Sequence, residues 1–579
     1  MPRTPAERRE TAQTLAADTP FDAVVAHARA ASGVTDAVRA LDLVAEAHPS
    51  RIDAARRRRD GVWYTPRDVA DRVAAAAGDA HATVVDPACG CGALLVAVAR
   101  RERHRGRDPA ALRWVGRDLD PVAVRLARAR LALALAADEH DAAAVDARLS
   151  TDFTVGDGLA LPTSGEPATV VANPPFGGAV RARTGRDADE TARLRARWPL
   201  AARGAFDRCA PFVAWAFERV KDGGQVALVL PRTWLAAPAG THLRAHLDAV
   251  GALAGIDDVG GAFADAAVPA VIVHGPGDGH AVRVQRWGGA AVVRPAPRDG
   301  AWGPLVSPWA DTLQALAAAP RLDDRCTIAA SATTGEAYAI RDAVTDGGAG
   351  YRLVTSGAID PLSHAWGTRT QRYLGTDRLH PTIPRDAAPP RRRAGWDAPR
   401  VLVPGLAPLL EAVVVEPGVA GAVATLALVT DDGGPPLQRL AAVLNGTLTR
   451  VAYRALWAAQ AMGGGSTPIT RGRLGAVPVP APLLAPASAS PHPDAVAELR
   501  AHAEALAGDP LRLPTPDALA ELGRVAQRSP ATVAALDAVL STAPPAVAVA
   551  AVDLVTATVA PDAWAVLVRD ARTNAERAS

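Results

Sequence analysis

Between residues 61 and about 275, short apolar runs alternate with amphipathic segments, and this alternation constrains the fold more than any other feature of the chain. The runs at 83–86 (T-V-V-D), 114–116 (W-V-G), 153–155 (F-T-V), 169–172 (T-V-V-A), 226–230 (V-A-L-V-L) and 268–273 (V-P-A-V-I-V) have the length and β-branched content of buried strands. Strands that recur with helices between them build a parallel sheet covered on both faces. The expectation is therefore an α/β fold for this stretch.

The flanks have a different texture. Residues 1–60 read as helical, with Val34, Val38, Leu41, Leu43 and Val44 near helical spacing, and they end in the basic run Arg56-Arg57-Arg58-Arg59. From 301 to 482 the chain breaks into short apolar pieces interrupted by Pro, Gly and Trp, which predicts a second, β-rich domain. The proline-rich stretch 477–493 reads as a linker, and 483–579 as a helical region. The predicted organisation is 1–60, 61–300, 301–482 and 483–579, in line with a 579-residue chain that is too long for one core.

Composition narrows the functional classes. The net charge is only +2, so contact with a polyanion must rely on local basic patches such as Arg391-Arg392-Arg393 or the Arg-rich segment 181–203. No apolar stretch has membrane-spanning length and no secretory segment opens the chain, so no membrane partner is expected. Four cysteines make no disulfide framework, which fits a reducing cytoplasm. Cys89 and Cys91 lack the neighbours of a metal site, so no metal is expected.

The chemistry sits at the strand ends. The first strand ends at Asp86 and runs into P-A-C-G-C-G, where Gly90 and Gly92 let a backbone approach a ligand. No Walker-type phosphate loop is present. The second strand ends G-R-D-L-D-P, placing Asp118 where an α/β nucleotide site holds a ribose acid. The third ends V-G-D-G, placing Asp157 where it can accept from an adenine amino group. Taken in order, these features favour an adenosine pocket of the kind that binds S-adenosylmethionine (SAM). The fourth run ends V-V-A-N-P-P-F-G. Two prolines cannot donate to a ladder, so the strand stops there with Asn173, Pro174, Pro175 and Phe176 at its end.

In this order the motifs resemble those of the gamma-class N6-adenine DNA methyltransferases. Trp63-Tyr64-Thr65-Pro66 is similar to that family's methionine-contacting motif, the segment from Asp86 through Ala88, Gly90 and Gly92 to its SAM loop, and Asn173-Pro174-Pro175-Phe176 to its catalytic motif. Stretches at 204–217, 223–224 and 230–234 resemble its later helix and strand, and 261–268, with Phe263, its base-stacking motif. The family motif usually ends in Tyr, where this chain has Phe176. The resemblance spans about 56–275 and, more loosely, 325–481.

It implies a Rossmann-like SAM-dependent methyltransferase domain, a β-rich C-terminal target-recognition domain and flanking helices. It also implies base flipping on double-stranded DNA, SAM bound by Tyr64, Thr65, Asp86, Ala88, Gly90, Gly92, Asp118 and Asp157, and stacking by Phe263. Asn173 Oδ1 and a carbonyl of the Pro174-Pro175 segment would accept the two N–H groups of the adenine amino nitrogen, which frees its lone pair, while Phe176 stacks on the base. Arg391, Arg392 and Arg393 would meet phosphates. No nuclease signature is visible, so a restriction endonuclease or defence-system protein would be a separate partner. Two other readings stay open: a SAM-binding DNA-recognition subunit without turnover, and a methyltransferase acting on RNA or protein.

Overall fold

The computed structural model describes residues 18–48, 65–176, 179–180, 186–260, 269–286, 289–457, 466–487 and 490–578. The chain divides into two compact units, Met1–Val306 and Ser307–Ser579.

The first unit is built on a nine-stranded sheet. Its strands are β1 (Thr83–Asp86), β2 (Arg113–Asp118), β3 (Phe153–Val155), β4 (Ala168–Ala172), β5 (Gly224–Pro231), β6 (Gly255–Gly260), β7 (Ala270–Gly275), β8 (Ala281–Arg286) and β9 (Ala291–Pro295). Their order across the sheet is β9-β8-β6-β7-β5-β4-β1-β2-β3. From β5 to β3 every pair is parallel, and β7 runs antiparallel between β5 and β6. All five residues of β4 are buried, as expected of a central strand covered on both faces.

Five helices matter for the site: α1 (Phe21–Ser32), α2 (Ala37–Ala47), α3 (Arg67–Ala76), α4 (Ala93–His104) and α5 (Pro121–Leu135). Each α2 and α5 start is fixed by an aspartate that accepts from backbone N–H groups of the first turn, Asp36 for α2 and Asp120 for α5. Pro121 stands at the first position of α5, where its missing N–H costs nothing.

The predicted strands at 83–86, 114–116, 153–155, 169–172, 226–230 and 268–273 correspond to β1, β2, β3, β4, β5 and, from Ala270, β7, but three other strands of this sheet escaped the sequence reading. β6 reads G-I-D-D-V-G, and two adjacent acids argue against a buried strand. They are tolerated because each has its own guanidinium: Asp257 accepts from Arg283 and Asp258 from Arg232. β8 and β9 form an antiparallel hairpin at the sheet edge.

Two predicted boundaries also differ. The helices before residue 60 are no separate domain: Phe21, Val24, Leu41 and Val44 share one core with Leu95, Leu126 and Leu131 of α4 and α5. Likewise, 483–579 does not stand apart from the strands before it. In the second unit Ile328, Val401 and Leu428 lie in the same core as Leu522, Leu536, Val552 and Trp564. The predicted linker is part of that core, since Val477, Val479, Leu483 and Leu484 are buried. Prolines there limit the backbone while the apolar residues between them pack. The strands of this unit form two four-stranded sheets and several two-stranded ribbons, and its helices lie mostly after Leu437.

Candidate active site

In an open parallel sheet, ligands bind outside the carboxyl ends of the strands where the strand order reverses. Here the reversal falls between β1 and β4, so Asp86 and Asn173 end adjacent strands on the two sides of one crevice. Thr65, Asp86, Ala88, Gly90 and Asn173 line a common cleft there.

The loop after β1 is shaped by glycine and by Asp118. Gly90 and Gly92 have positive φ angles of 49° and 80°. A Cβ at Gly92 would lie 2.9 Å from the Ala127 Cα of α5, whereas one at Gly90 would meet nothing within 4 Å. Gly92 thus allows the helix to pack, and Gly90 leaves open space beside the cleft. The Gly90 N–H donates to Asp118 Oδ2 at 2.9 Å, and the Asp120 N–H donates to Asp118 Oδ1 at 3.0 Å. Asp118 therefore fixes two backbone amides and keeps lone pairs for a ligand. The exposed Asp157 ends β3 and accepts from the Leu159 N–H at 3.0 Å. Its neighbour Gly158 approaches the Pro87 carbonyl so closely that a Cβ would overlap it, at 1.7 Å.

The electrostatics favour a cation. Asp86 is fully buried, accepts from the Ala88 N–H at 3.0 Å, and has no ion-pair partner among the described residues. Burial, with Asp118 adding negative charge, pushes its carboxyl up from 3.8 to about 8. Asp118 is raised as well, chiefly by burial. Two carboxyls without a cation among the described residues form one half of a site that a positively charged ligand would complete.

At the end of β4, the Asn173 Nδ2 donates to Thr65 Oγ1 at 3.0 Å, and its Oδ1 is buried without a partner. The amide is thus oriented by a residue 108 positions away, with its acceptor free. A buried carbonyl oxygen left in this state calls for an N–H donor. Thr65, expected on cofactor, is here a partner of Asn173. Pro174 is buried and Pro175 half-buried. Phe176 is buried, so the ring expected to stack on a base is covered in this structure.

Tyr64, Phe263 and the basic run 56–59 lie outside the described residues. Sequence reading passed over Leu119, an apolar side chain 75% exposed immediately after Asp118. Its signal was an apolar residue between two acids at a strand end.

In the second unit Arg391 and Arg392 both bond to Glu336, and Arg393 donates to the carbonyls of Ala388 and Asp386. The arginines hold Glu336 well below the usual carboxylate range. Arg392 and Arg393 are thus engaged in holding their own domain together. Arg391 keeps a largely exposed side chain.

Residues 50–250 match the family model described as N-6 DNA Methylase. Over that stretch the chain is similar to the N-6 DNA methylases. The matched stretch contains Asp86, Asp118, Asp157 and Asn173, and its sheet is mostly parallel and Rossmann-like. Solved structures similar to the chain include the type IIL restriction-modification enzyme MmeI in complex with DNA, at 12% identity over 92% of this chain and 81% of that one, with a TM-score of 0.43. The type IIG restriction endonuclease BpuSI is 13% identical over 90% of this chain and 69% of that one, with a TM-score of 0.39. A type I restriction-modification methyltransferase subunit from Streptococcus thermophilus is 19% identical over 45% and 55%, with a TM-score of 0.32. No curated protein matches the chain.

Proposed function

We propose that this chain transfers a methyl group from SAM to the N6 amino group of an adenine turned out of double-stranded DNA. The observation that carries this reading is the Asn173 amide, with Oδ1 buried and unpartnered beside the glycine loop. Bound SAM would supply an electrophilic methyl group. Asp86 would face its positive charge, Asp118 its ribose hydroxyls and Asp157 its adenine, while the Gly90 backbone leaves room for it. Asn173 Oδ1 accepts one N–H of the target amino group, and the carbonyl direction fixed by Pro174-Pro175 suits the second. With both hydrogens held, the nitrogen lone pair leaves conjugation and points at the methyl carbon.

The β-rich part of the second unit would choose the target sequence, with Arg391 as a phosphate contact. Restriction-modification or phage defence in the cytoplasm, beside a separate nuclease, is the setting this reading implies. The burial of Phe176 favours one other reading, a DNA-recognition subunit that binds SAM without turnover.

The test is transfer of labelled methyl from SAM to duplex DNA, RNA and protein, with Asn173→Ala beside the wild type. The expected result is label in duplex adenine, lost in the variant. SAM binding without label in any acceptor supports the second reading, and label in protein or RNA overturns the first.

A further inference from the structure

The loop between β1 and α4 is held from two sides, and both holds lead back to the helical pair before the sheet. On one side Arg130 of α5, which is buried, donates from Nη1 to the Cys91 carbonyl at 2.5 Å. The remaining edge of that guanidinium grips Asp42 of α2, with Nε at 3.0 Å and Nη2 at 2.7 Å from Oδ1. Arg100 of α4 stands 3.6 Å from the other oxygen of Asp42. On the other side, His48, just past α2, contacts Asp120 Oδ2 through Nε2 at 2.7 Å. Asp120 in turn donates its N–H to Asp118, which receives the Gly90 N–H. The carbonyl of Cys91 and the amide of Gly90 are thus tied by separate chains of contacts to residues 42 and 48.

From this wiring we infer that the helical pair α1–α2 is a working part of the SAM site, with Asp42 and His48 as positioning residues. The inference rests on the loop being the SAM cradle. Without Asp42, Arg130 becomes a buried cation without its carboxylate, a state it escapes only by turning away from Cys91. The two left-handed glycines of the loop then lose a restraint, and ordering them becomes a cost of binding. Nothing in this chain of contacts touches Asn173, so the effect falls on cofactor affinity and spares the transfer step.

The experiment uses the full-length protein. SAM affinity is measured by calorimetry, and the SAM KM and kcat by methylation of duplex DNA, for wild type, Asp42→Asn, His48→Gln and the double variant Asp42→Asn/Arg130→Gln. All are read well below the melting temperature found by circular dichroism. The expected result is an SAM Kd and KM raised about tenfold in Asp42→Asn and severalfold in His48→Gln, with kcat at saturating SAM and the KM for DNA within twofold of wild type. The double variant should be little worse than Asp42→Asn alone, because both changes break one contact. A purely architectural role would lower the melting temperature and leave the SAM Kd unchanged, and that outcome in both folded single variants overturns the inference. If Asp42→Asn fails to fold, His48→Gln alone decides. A wild type that binds no SAM overturns both the assignment of the loop and this inference. A wild type that binds SAM without methylating DNA overturns only the proposed activity, and the Kd series still tests the clamp.

Discussion

Gly90 and Gly92 offer a prediction in which stability and ligand affinity move in opposite orders. Replacing either by Ala puts a side chain on left-handed backbone, at a cost of about 1–2 kcal/mol. The loss of chain freedom in the unfolded state returns about 0.4–1 kcal/mol. At Gly90 the ledger ends there, because the new methyl meets nothing within 4 Å, so Gly90→Ala should lose about 1 kcal/mol. At Gly92 the methyl would stand 2.9 Å from the Cα and 3.0 Å from the Cβ of Ala127, which is fully buried in α5. Backbone in a packed helix yields poorly, and overpacking adds about 1–3 kcal/mol, for a total near 2–4 kcal/mol. Affinity should follow the reverse order. The Gly90 methyl enters the open space beside the cleft and should weaken SAM binding at least tenfold. In the folded fraction of Gly92→Ala the loss should be smaller. Urea unfolding gives the stabilities and calorimetry the affinities. Wild-type SAM affinity in Gly90→Ala would refute the assignment of the loop, and equal stabilities would refute the steric argument.

Three further outcomes are expected. Asn173→Ala should leave SAM affinity unchanged and cut single-turnover methylation by about 10²–10³-fold, by analogy with loss of one oxyanion-hole group, while Thr65→Val, which frees the amide to rotate, should lose less and Thr65→Ser little. Asp86, with its carboxyl pushed up from 3.8 to about 8, favours the free protein fully below pH 4 and loses that contribution as pH rises through about 8. About nine-tenths of it is protonated at pH 7, so binding cationic SAM there should release close to one proton, visible as a binding enthalpy that changes between phosphate and Tris; a count of zero would contradict the site electrostatics. A fragment ending at residue 482 should leave the second unit unfolded by near-ultraviolet circular dichroism, because it lacks Leu522, Leu536, Val552 and Trp564 from the core.

What the sequence disclosed was local. β1, β2, β3 and β4 could be read because each is an apolar run that ends in a polar residue or glycine, and such an end is written in adjacent letters. β6 could not, because its two aspartates are acceptable only through arginines 26 residues away along the chain. The Thr65–Asn173 bond and the contacts of Asp42 and His48 join residues 58 to 108 positions apart, a separation no periodicity reports. The prolines of 477–493 look like a linker because composition records breakers and not the burial of Val477 and Val479 between them. The run Arg391-Arg392-Arg393 displays its charge in the sequence but not Glu336, which takes up two of the three.

The core shared by the strands and the final helices of the second unit has a consequence for the order of synthesis. Thr312 donates its backbone N–H and its hydroxyl to Asp570, 258 residues later. At roughly 5–20 residues per second, some 13–50 s separate the emergence of these partners from a ribosome. Before that interval ends, Ile328, Val401 and Leu428 have been made while the helix that carries Trp564 has not. The first unit, whose central strands find their neighbours within shorter stretches of chain, can close earlier. The second unit must wait for the helix that carries Trp564 and Asp570, and until then it is a nascent chain with an uncovered apolar face, which is the state that chaperones bind.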